Sequence, residues 1–182
     1  LGLEKDTVIA CEGPVTGRTH LAAKQHFGSS VRYTFHGDPA PLFEAVASGT
    51  ADCGVIPLGE EGPEAAVLEL LSSGKAMVCS QIVLGGEEGE THARYLVLGT
   101  SLNVATGDDQ TAVLIPLNDT PGVLASALEP FREAGVNVIS IHSRKARSGG
   151  LHLFLELGGH AGDSPLIRSM QAIRAVSPEA RV

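Results

Sequence analysis

The 182 residues fit one medium domain or two small ones. Apolar residues make up 43% of the chain, but only 4% are aromatic and there is no tryptophan, so a core must consist mostly of aliphatic side chains. Residues 1–105 carry −7 of the net charge of −8, and this acidity disfavours nucleic-acid binding because it repels phosphate.

The sequence gives no sign of a membrane, disulfide or metal protein. No apolar run approaches the roughly 20 residues of a membrane-spanning helix, and no charged and then apolar leader opens the chain, so we expect a cytoplasmic protein. Cys11, Cys53 and Cys79 are odd in number and far apart, which argues against a disulfide framework and a thiolate metal site. The seven histidines lack metal-ligand spacing, so we expect neither a metal nor a cofactor.

The first half of the chain alternates strand and helix patterns. Short apolar runs are separated by stretches with helical periodicity, and several of these stretches stop at a glycine. This alternation indicates βαβ units and a mainly parallel sheet. The predicted strands are residues 7–12, 31–35, 53–58, 76–84 and 94–98, and the predicted helices are residues 21–27, 41–48 and 63–73.

The second half has a different order of elements. Residues 100–110 are rich in Gly, Thr, Ser, Asn and Asp, which predicts a linker. The order β-α-β-β-α follows, which is the split βαβ or ferredoxin-like arrangement, and its open sheet leaves the other face or an edge for a partner. The predicted strands are residues 112–118, 136–144 and 151–157, with 180–182 left for a final strand, and the helices are 121–134 and one from 165.

The turn before the first of these helices suits a small zwitterion. We expect Thr120 to cap the helix, Pro121 to start it, and Gly122 to leave backbone N–H groups open to a carboxylate. Asn118 and Asp119 supply oxygens for an ammonium group. An α-amino acid presents both charges, although an ordinary helix start is the alternative interpretation.

Two motifs of this chain, one within residues 118–124 and the other at residues 142–144, together resemble the ACT domain of prephenate dehydratases. In that family Pro-Gly-Ala-Leu and Glu-Ser-Arg-Pro line a phenylalanine site. The resemblance covers about residues 111–182. It implies a homodimer formed through the ACT domains and an amino-acid ligand, phenylalanine or a similar one. His142 replaces the family's Glu, and a histidine on a dimer surface is the other interpretation of this position. The implied ligand-binding residues are Asn118, Asp119, Thr120, Pro121, Gly122, Val123, Leu124, His142, Ser143 and Arg144.

The first half is similar to the first lobe of the same family. Residues 12–20 stand where the family has Gly-Pro-Glu-Gly-Thr-Phe-Ser-His, and residues 42–57 match its next helix and strand. Between Leu84 and Thr91 the family inserts a second lobe, which this chain lacks. The resemblance therefore implies an α+β chain: a single βαβ-type lobe of a periplasmic-binding-protein-like dehydratase fold at 1–99, a linker at 100–110 and a ferredoxin-like ACT domain at 111–182.

The resemblance also names catalytic candidates. Arg94, Thr19 and His20 stand where anchors or proton donors are expected. Two family features are missing: residues 58–62 replace a Glu-Asn-Ser turn, and Ala93 replaces the threonine that assists departure of the substrate hydroxyl. The glutamates at positions 60 and 61 are interpreted as solvated turn residues, with an acid–base pair as the alternative.

We therefore expect a prephenate-dehydratase-like protein of aromatic amino-acid (phenylalanine) metabolism that is weak or inactive as a dehydratase and binds an amino acid in its ACT domain. The alternative is an active prephenate dehydratase, a carbon–oxygen lyase that converts prephenate to phenylpyruvate, water and carbon dioxide, or a relative that uses prephenate differently. The alternative requires a closed pocket around Arg94. A second subunit could supply its missing wall.

Overall fold

The computed structural model of this protein describes residues 6–85 and 92–182. The short segment between Leu84 and Thr91, where the family has a second lobe, lies almost wholly outside these ranges. The chain divides into two compact units. The first contains the residues up to Glu60 and Lys75–Leu102, and the second contains Glu61–Gly74 and Asn103–Val182. We call Glu61–Gly74 the covering segment.

Strands and helices alternate through most of the chain. None of the helices in the described residues is long and apolar enough to cross a membrane. The elements in chain order are β1 (Val8–Glu12), α1 (Arg18–Phe27), β2 (Arg32–His36), α2 (Pro39–Ala47), β3 (Cys53–Leu58), α3 (Ala65–Ser72), β4 (Met77–Leu84), β5 (Ala93–Gly99), β6 (Gln110–Leu117), α4 (Val123–Glu133), β7 (Val138–Lys145), β8 (Leu151–Gly158) and α5 (Ser164–Val176).

The first unit is built on a five-stranded sheet with the order β2-β1-β3-β5-β4. β1 pairs in parallel with β2 and with β3. β5 lies between β3 and β4 and is antiparallel to both. Four strands therefore run in one direction, as the predicted βαβ units require, and the reversed β5 makes half of the pairings antiparallel. The expectation of a mainly parallel sheet holds for strand direction but not for the pairings of β5.

A helix covers each face of this sheet. Val55 of β3 belongs to a buried cluster with Ala22 and Ala23 of α1. A Cβ added to the preceding residue, Gly54, would instead lie 2.6 Å from the Leu42 side chain of α2. Because consecutive strand residues point to opposite faces, α1 and α2 lie on opposite faces.

The helix ends of the first unit follow the sequence signals closely. Gly28, with φ +83, ends α1 as predicted. α2 begins at Pro39, two residues before the expected Pro41, with Asp38 as its N-cap residue. Both prolines fit because the first turn of a helix has no intrahelical hydrogen bonds for a proline to remove.

The second unit contains a three-stranded antiparallel sheet with the order β6-β8-β7. Leu114 of β6 also exchanges backbone hydrogen bonds of 2.9 and 2.8 Å with Arg181. The end of the described chain therefore adds a bridge beside β6, which completes the strand order of a ferredoxin-like fold. α4 and α5 pack on one face, where Phe131 is fully buried with the alternating leucines of β8.

The covering segment lies against the other face of this sheet. Phe154, which points away from α4 and α5, is only 1% exposed. Glu69 of the covering segment accepts the Arg147 N–H at 2.9 Å and its Oε1 lies 3.9 Å from His152 Nδ1. Of the two places expected for a partner, the face is therefore covered by the chain itself, and the edge at β7 remains. The outer strand β7 keeps exposed apolar side chains, among them Ile141 at 49%.

Candidate functional site

The first group of candidate residues lies at the start of α1. Thr19 is 7% exposed. The His20 ring packs edge-on against the rings of Tyr33 and Phe35, with centroid separations of 5.0 and 4.9 Å. His20 Nδ1 accepts the Thr16 N–H at 3.0 Å, so the neutral ring carries its proton on Nε2. Thr16 has φ +63, a conformation that is costly for a β-branched residue and that occurs at functional turns.

Arg94 lies on the other face of the same sheet. Its Nη2 and Nε donate to Gln81 Oε1 at 2.7 and 3.3 Å. Arg94 pairs with Leu58 of β3, which shares the face of Gly54 and therefore that of α2. His20 packs on Tyr33 and Phe35, which belong to the α1 face.

The catalytic candidates therefore lie on two faces of the sheet. Both groups lie near the edge where β1 and β3 end, which is the usual place for a ligand in an open α/β sheet. They approach that edge from opposite faces. Removal of hydroxide and carbon dioxide needs a donor and cationic anchors on the same small substrate, so the two groups could act together only on a ligand that lies across this edge.

The turn of the second candidate site has a conformation that differs from the expected one. Gly122 has φ +82 and ψ −4, and the Val123 N–H donates to the Thr120 carbonyl oxygen at 3.1 Å. These values describe a type II turn with Pro121 at its second position. The expected cap at Thr120 and helix start at Pro121 are therefore wrong. Gly122 is the N-cap and α4 begins at Val123, because a residue with positive φ lies outside the helical region.

The turn nevertheless leaves its backbone open. A Cβ added to Gly122 would meet no atom within 4 Å. Leu124, in the first turn of α4, is 42% exposed, and Val123 is half-buried. A ligand can therefore approach the turn from solvent and find an apolar side chain beside it. The exposed residues of the turn are Asn118, Asp119, Thr120, Pro121 and Gly122.

The second motif of the ACT resemblance, His142–Arg144, lies on β7 and contacts the covering segment. We call it the β7 motif. Arg144 Nη2 donates to the Glu61 carbonyl oxygen at 2.7 Å and lies 3.5 Å from the Glu61 carboxylate. Gly62 has φ +84, and a Cβ there would lie 2.3 Å from His142 Cγ. Ser143 is exposed and, by strand alternation, points to the opposite face.

The turn and the β7 motif lie at the same end of the three-stranded sheet. Leu117 of β6, Leu151 of β8 and Lys145 of β7 are aligned across it. Within one copy, β8 therefore lies between the two motifs, and two strand spacings amount to roughly 10 Å. The two predicted halves of the ligand site, the turn and the β7 motif, therefore lie at the same end of the sheet but belong to strands that are not adjacent.

Three residues near the second site were missed by sequence reasoning. Glu61 and Gly62 were assigned to the dehydratase-like turn, yet they contact the β7 motif. His152 is 5% exposed, and its distance of 3.9 Å to Glu69 is too long for a hydrogen bond. Among the described residues its Nδ1 thus has no hydrogen-bond partner. Alternation along residues 151–157 placed His152 opposite the leucines, but no signal showed what would cover it.

The cysteines are not arranged for nucleophilic or metal chemistry. Cys11 is fully buried, and burial raises its pKa to about 11, which keeps the thiol protonated at neutral pH. Cys53 and Cys79 are half-buried. Within residues 6–85 and 92–182, no three His, Cys, Asp or Glu side chains are close enough to hold a metal ion.

The second unit contains a recognised domain. Residues 111–175 match the ACT domain family. The whole chain also aligns with longer enzymes. It is 24% identical to the bifunctional chorismate mutase/prephenate dehydratase of Aquifex aeolicus over 259 positions, which cover 96% of this chain and 72% of that protein. Since 259 positions exceed the 182 residues of this chain, a long stretch of that enzyme has no counterpart here.

Other relatives share a smaller part of their length. The chain is 30% identical to the prephenate dehydratase of Mycolicibacterium smegmatis over 132 residues, covering 70% of this chain and 39% of that protein. It spans 21% and 22% of two further bifunctional relatives. The solved prephenate dehydratase of Arthrobacter aurescens, in complex with L-Phe, has a TM-score of 0.83 at 18% identity and covers 96% of this chain and 88% of that one. The predicted resemblance is therefore confirmed: this chain carries an ACT domain in its second half and is similar to prephenate dehydratases over nearly all of its length.

Proposed function

We propose that this is a cytoplasmic protein of aromatic amino-acid metabolism whose ACT domain binds an amino acid, phenylalanine or a similar one. The ligand site consists of the turn from Asn118 to Leu124 together with the β7 motif from His142 to Arg144. The first unit is weak or inactive as a dehydratase. The L-Phe in the Arthrobacter aurescens structure supports this choice of ligand.

The open turn at Gly122 is the observation that carries the proposal. Its missing side chain leaves open space at the start of α4, where the unpaired N–H groups of a helix N-terminus and the helix dipole stabilise a carboxylate. Asn118 and Asp119 are exposed on the same turn and offer oxygens to the ammonium group. Leu124, 42% exposed, offers an apolar surface to the ligand side chain.

A homodimer would complete the site. Ile139 and Ile141 on β7 are 46% and 49% exposed, and they lie on an outer strand that lacks a neighbour on one side in the described sheet. In a symmetric dimer joined along β7, each copy would bury these two side chains at the interface. It would also bring the turn of one copy toward the β7 motif of its partner, which β8 separates within a single copy.

Two observations support weak or absent dehydratase activity. His20 and Arg94 lie on opposite faces of the five-stranded sheet, and a long stretch of the Aquifex aeolicus enzyme has no counterpart. The alternative, an active dehydratase, is favoured by the similarity to enzymes of that name and by the half-buried Arg94 at the edge where substrates bind.

Calorimetric titration with L-phenylalanine and a panel of other amino acids tests the ligand. We expect binding to the parent and binding at least about tenfold weaker in Gly122→Ala, whose new Cβ occupies the approach to the turn. Gly107→Ala is the matched control, because Gly107 also has positive φ and open space around its Cβ position. Equal affinity in all three proteins would contradict the proposed site.

Prephenate turnover distinguishes the two functions. Under the proposal, phenylpyruvate forms no faster than in an enzyme-free control, or so little faster that Arg94→Ala leaves the rate unchanged. Product formation that is lost in Arg94→Ala and retained in Arg32→Ala, an exposed arginine of β2, would establish the dehydratase instead. Light scattering on the same samples measures the mass of the particle, and a monomer that still binds the amino acid would contradict the dimeric site.

A further inference from the structure

The side chains of the β7 motif point to two different faces of the three-stranded sheet. Gly62 of the covering segment packs against His142, and Arg144 donates to the Glu61 carbonyl oxygen at 2.7 Å, so both side chains belong to the covered face. Ser143 is exposed and points to the opposite face, on which α4 and α5 pack. Within this motif, Ser143 is therefore the one side chain on the face where α4 begins.

Lys145 is the next residue of β7 on that face, and it lies at the end of the sheet where β6 leads into the turn at Gly122. It is aligned with Leu151 of β8, which is aligned in turn with Leu117 of β6. Both leucines pack against the core under α4 and α5. Because directly opposite residues of antiparallel strands point to the same face, the three side chains form a row across this end of the sheet.

The row is apolar beside the turn and charged at its far end. Leu117 and Leu151 are half-buried, whereas Lys145 is exposed. Within residues 6–85 and 92–182, the Lys145 ammonium forms no ion pair with a carboxylate. Two strand spacings separate the backbones at the two ends of the row by roughly 10 Å. The flexible four-carbon stem of a lysine shortens the gap that a ligand must span.

We propose that Lys145 selects amino acids whose side chain ends in an anionic group. This inference rests on the proposed function, which places the carboxylate and the ammonium of the ligand at the turn. The ligand side chain then lies over Leu117 and Leu151, and its far end meets the Lys145 ammonium. An aromatic ring with a carboxylate on the carbon farthest from the backbone suits both parts of the row. All of these residues belong to one copy of the chain.

The expected selectivity is modest because Lys145 is open to water. Ion pairs at exposed positions are weak, and salt screens them. A ligand with the distal carboxylate should therefore bind about two- to fivefold more tightly than the same ligand without it. The preference should decrease when the salt concentration is raised.

The test is a calorimetric titration with two ligands, L-phenylalanine and 4-carboxy-L-phenylalanine, which differ only in the distal carboxylate. The parent should prefer the carboxylated ligand. Lys145→Met removes the charge but retains an unbranched stem, and the preference should disappear. Lys145→Arg retains the charge and should retain the preference. Lys24→Met is the matched control, because it removes the charge of an exposed lysine on α1 and should leave the preference as it is in the parent.

The outcomes separate this inference from the function on which it rests. If the parent binds both ligands but does not prefer the carboxylated one, the role of Lys145 is overturned and the amino-acid site stands. A preference that persists in Lys145→Met, or that Lys24→Met loses as well, also overturns it, because other groups or the general charge would then be responsible. If the parent binds neither ligand, the selection by Lys145 and the amino-acid site both fail.

Discussion

The two sheets of this protein bury their faces by different means. In the five-stranded sheet, α1 and α2 are local helices that follow the strands they cover. In the three-stranded sheet, α4 and α5 cover one face, but the other face is covered by a segment that is separated from β6 by two strands of the other sheet, β4 and β5. Covering a sheet with a distant segment brings residues together that the sequence separates, and the second candidate site is such a place.

The same contrast separates the two groups of candidate residues. In the first unit the sheet lies between His20 and Arg94, which leaves each of them with its own structural partners. In the second unit His142 and Arg144 share a face of β7, and the covering segment meets both. The first arrangement places the two groups on separate faces, whereas the second brings an arginine, a histidine and the covering segment together.

Truncation of Phe154 tests whether the second face of the three-stranded sheet is truly closed. Phe154→Ala should lower the free energy of unfolding by about 3–5 kcal/mol, close to the about 2–5 kcal/mol of Leu155→Ala on the helix-covered face, because both residues are at most 1% exposed. Ile141→Ala, at a half-exposed position of the same sheet, is the milder control. Urea denaturation measures all three, and a loss below about 1 kcal/mol at Phe154 would mean an open face.

Thiol labelling tests the α1 face of the five-stranded sheet. Burial raises the pKa of Cys11 to about 11, so at pH 8 its reactive thiolate should be on the order of a hundredfold scarcer than in the unfolded chain. The Cys11 thiol ionises at a lower pH in the unfolded chain than in the folded protein. Its contribution to the free energy of unfolding is therefore complete below the ordinary thiol pKa and falls as the pH rises toward 11.

Mass spectrometry of labelled peptides gives the rates for each cysteine separately. Cys53 and Cys79 are half-buried and serve as internal controls in the same sample. Cys11 should react last, and its labelling rate should increase as the pH is raised. Labelling of Cys11 in folded protein at the rate found in urea would show that α1 does not close this face.

The smallest expected effect concerns the end of the three-stranded sheet where β6 leads into the Gly122 turn. A Cβ at Gly150 would lie 2.3 Å from the Leu117 carbonyl oxygen, so Gly150→Ala must move backbone and should cost roughly 2 kcal/mol. Gly149→Ala has a similar positive φ but open space, and should cost about 1 kcal/mol from backbone strain alone. Equal melting temperatures for the two variants would mean that this end of the sheet yields easily.

Local elements could be predicted because each carries its own signal. The apolar runs and the glycine stops located β3 and the end of α1, and alternation separated the leucines of β8 from Phe154. The start of α4 could not be located to the residue, because Thr120, Pro121 and Gly122 satisfy both a capped helix and a type II turn. Only the observed φ of Gly122 distinguishes the two.

Long-range pairings were beyond a single sequence. The apolar stripe of α3 predicts that one side of the helix is buried, but not that the residues before it reach the second sheet. The sequence predicts Glu61 to be a solvated residue of the dehydratase-like turn, with an acid–base role as the alternative, whereas the structure also places it beside Arg144. The Glu61 side chain is 90% exposed, which agrees with the solvated interpretation, and its backbone carbonyl oxygen accepts a hydrogen bond from Arg144.

The covering segment also affects how the protein can be divided. Excision of the ACT domain at the linker, as residues 103–182, would remove Glu61–Gly74 and expose Phe154 and His152 to water together. We expect such a fragment to aggregate or to dimerise through the wrong surface. A fragment that retains residues 61–74, joined to the rest by a short linker in a permuted order, would keep both faces of the sheet dry.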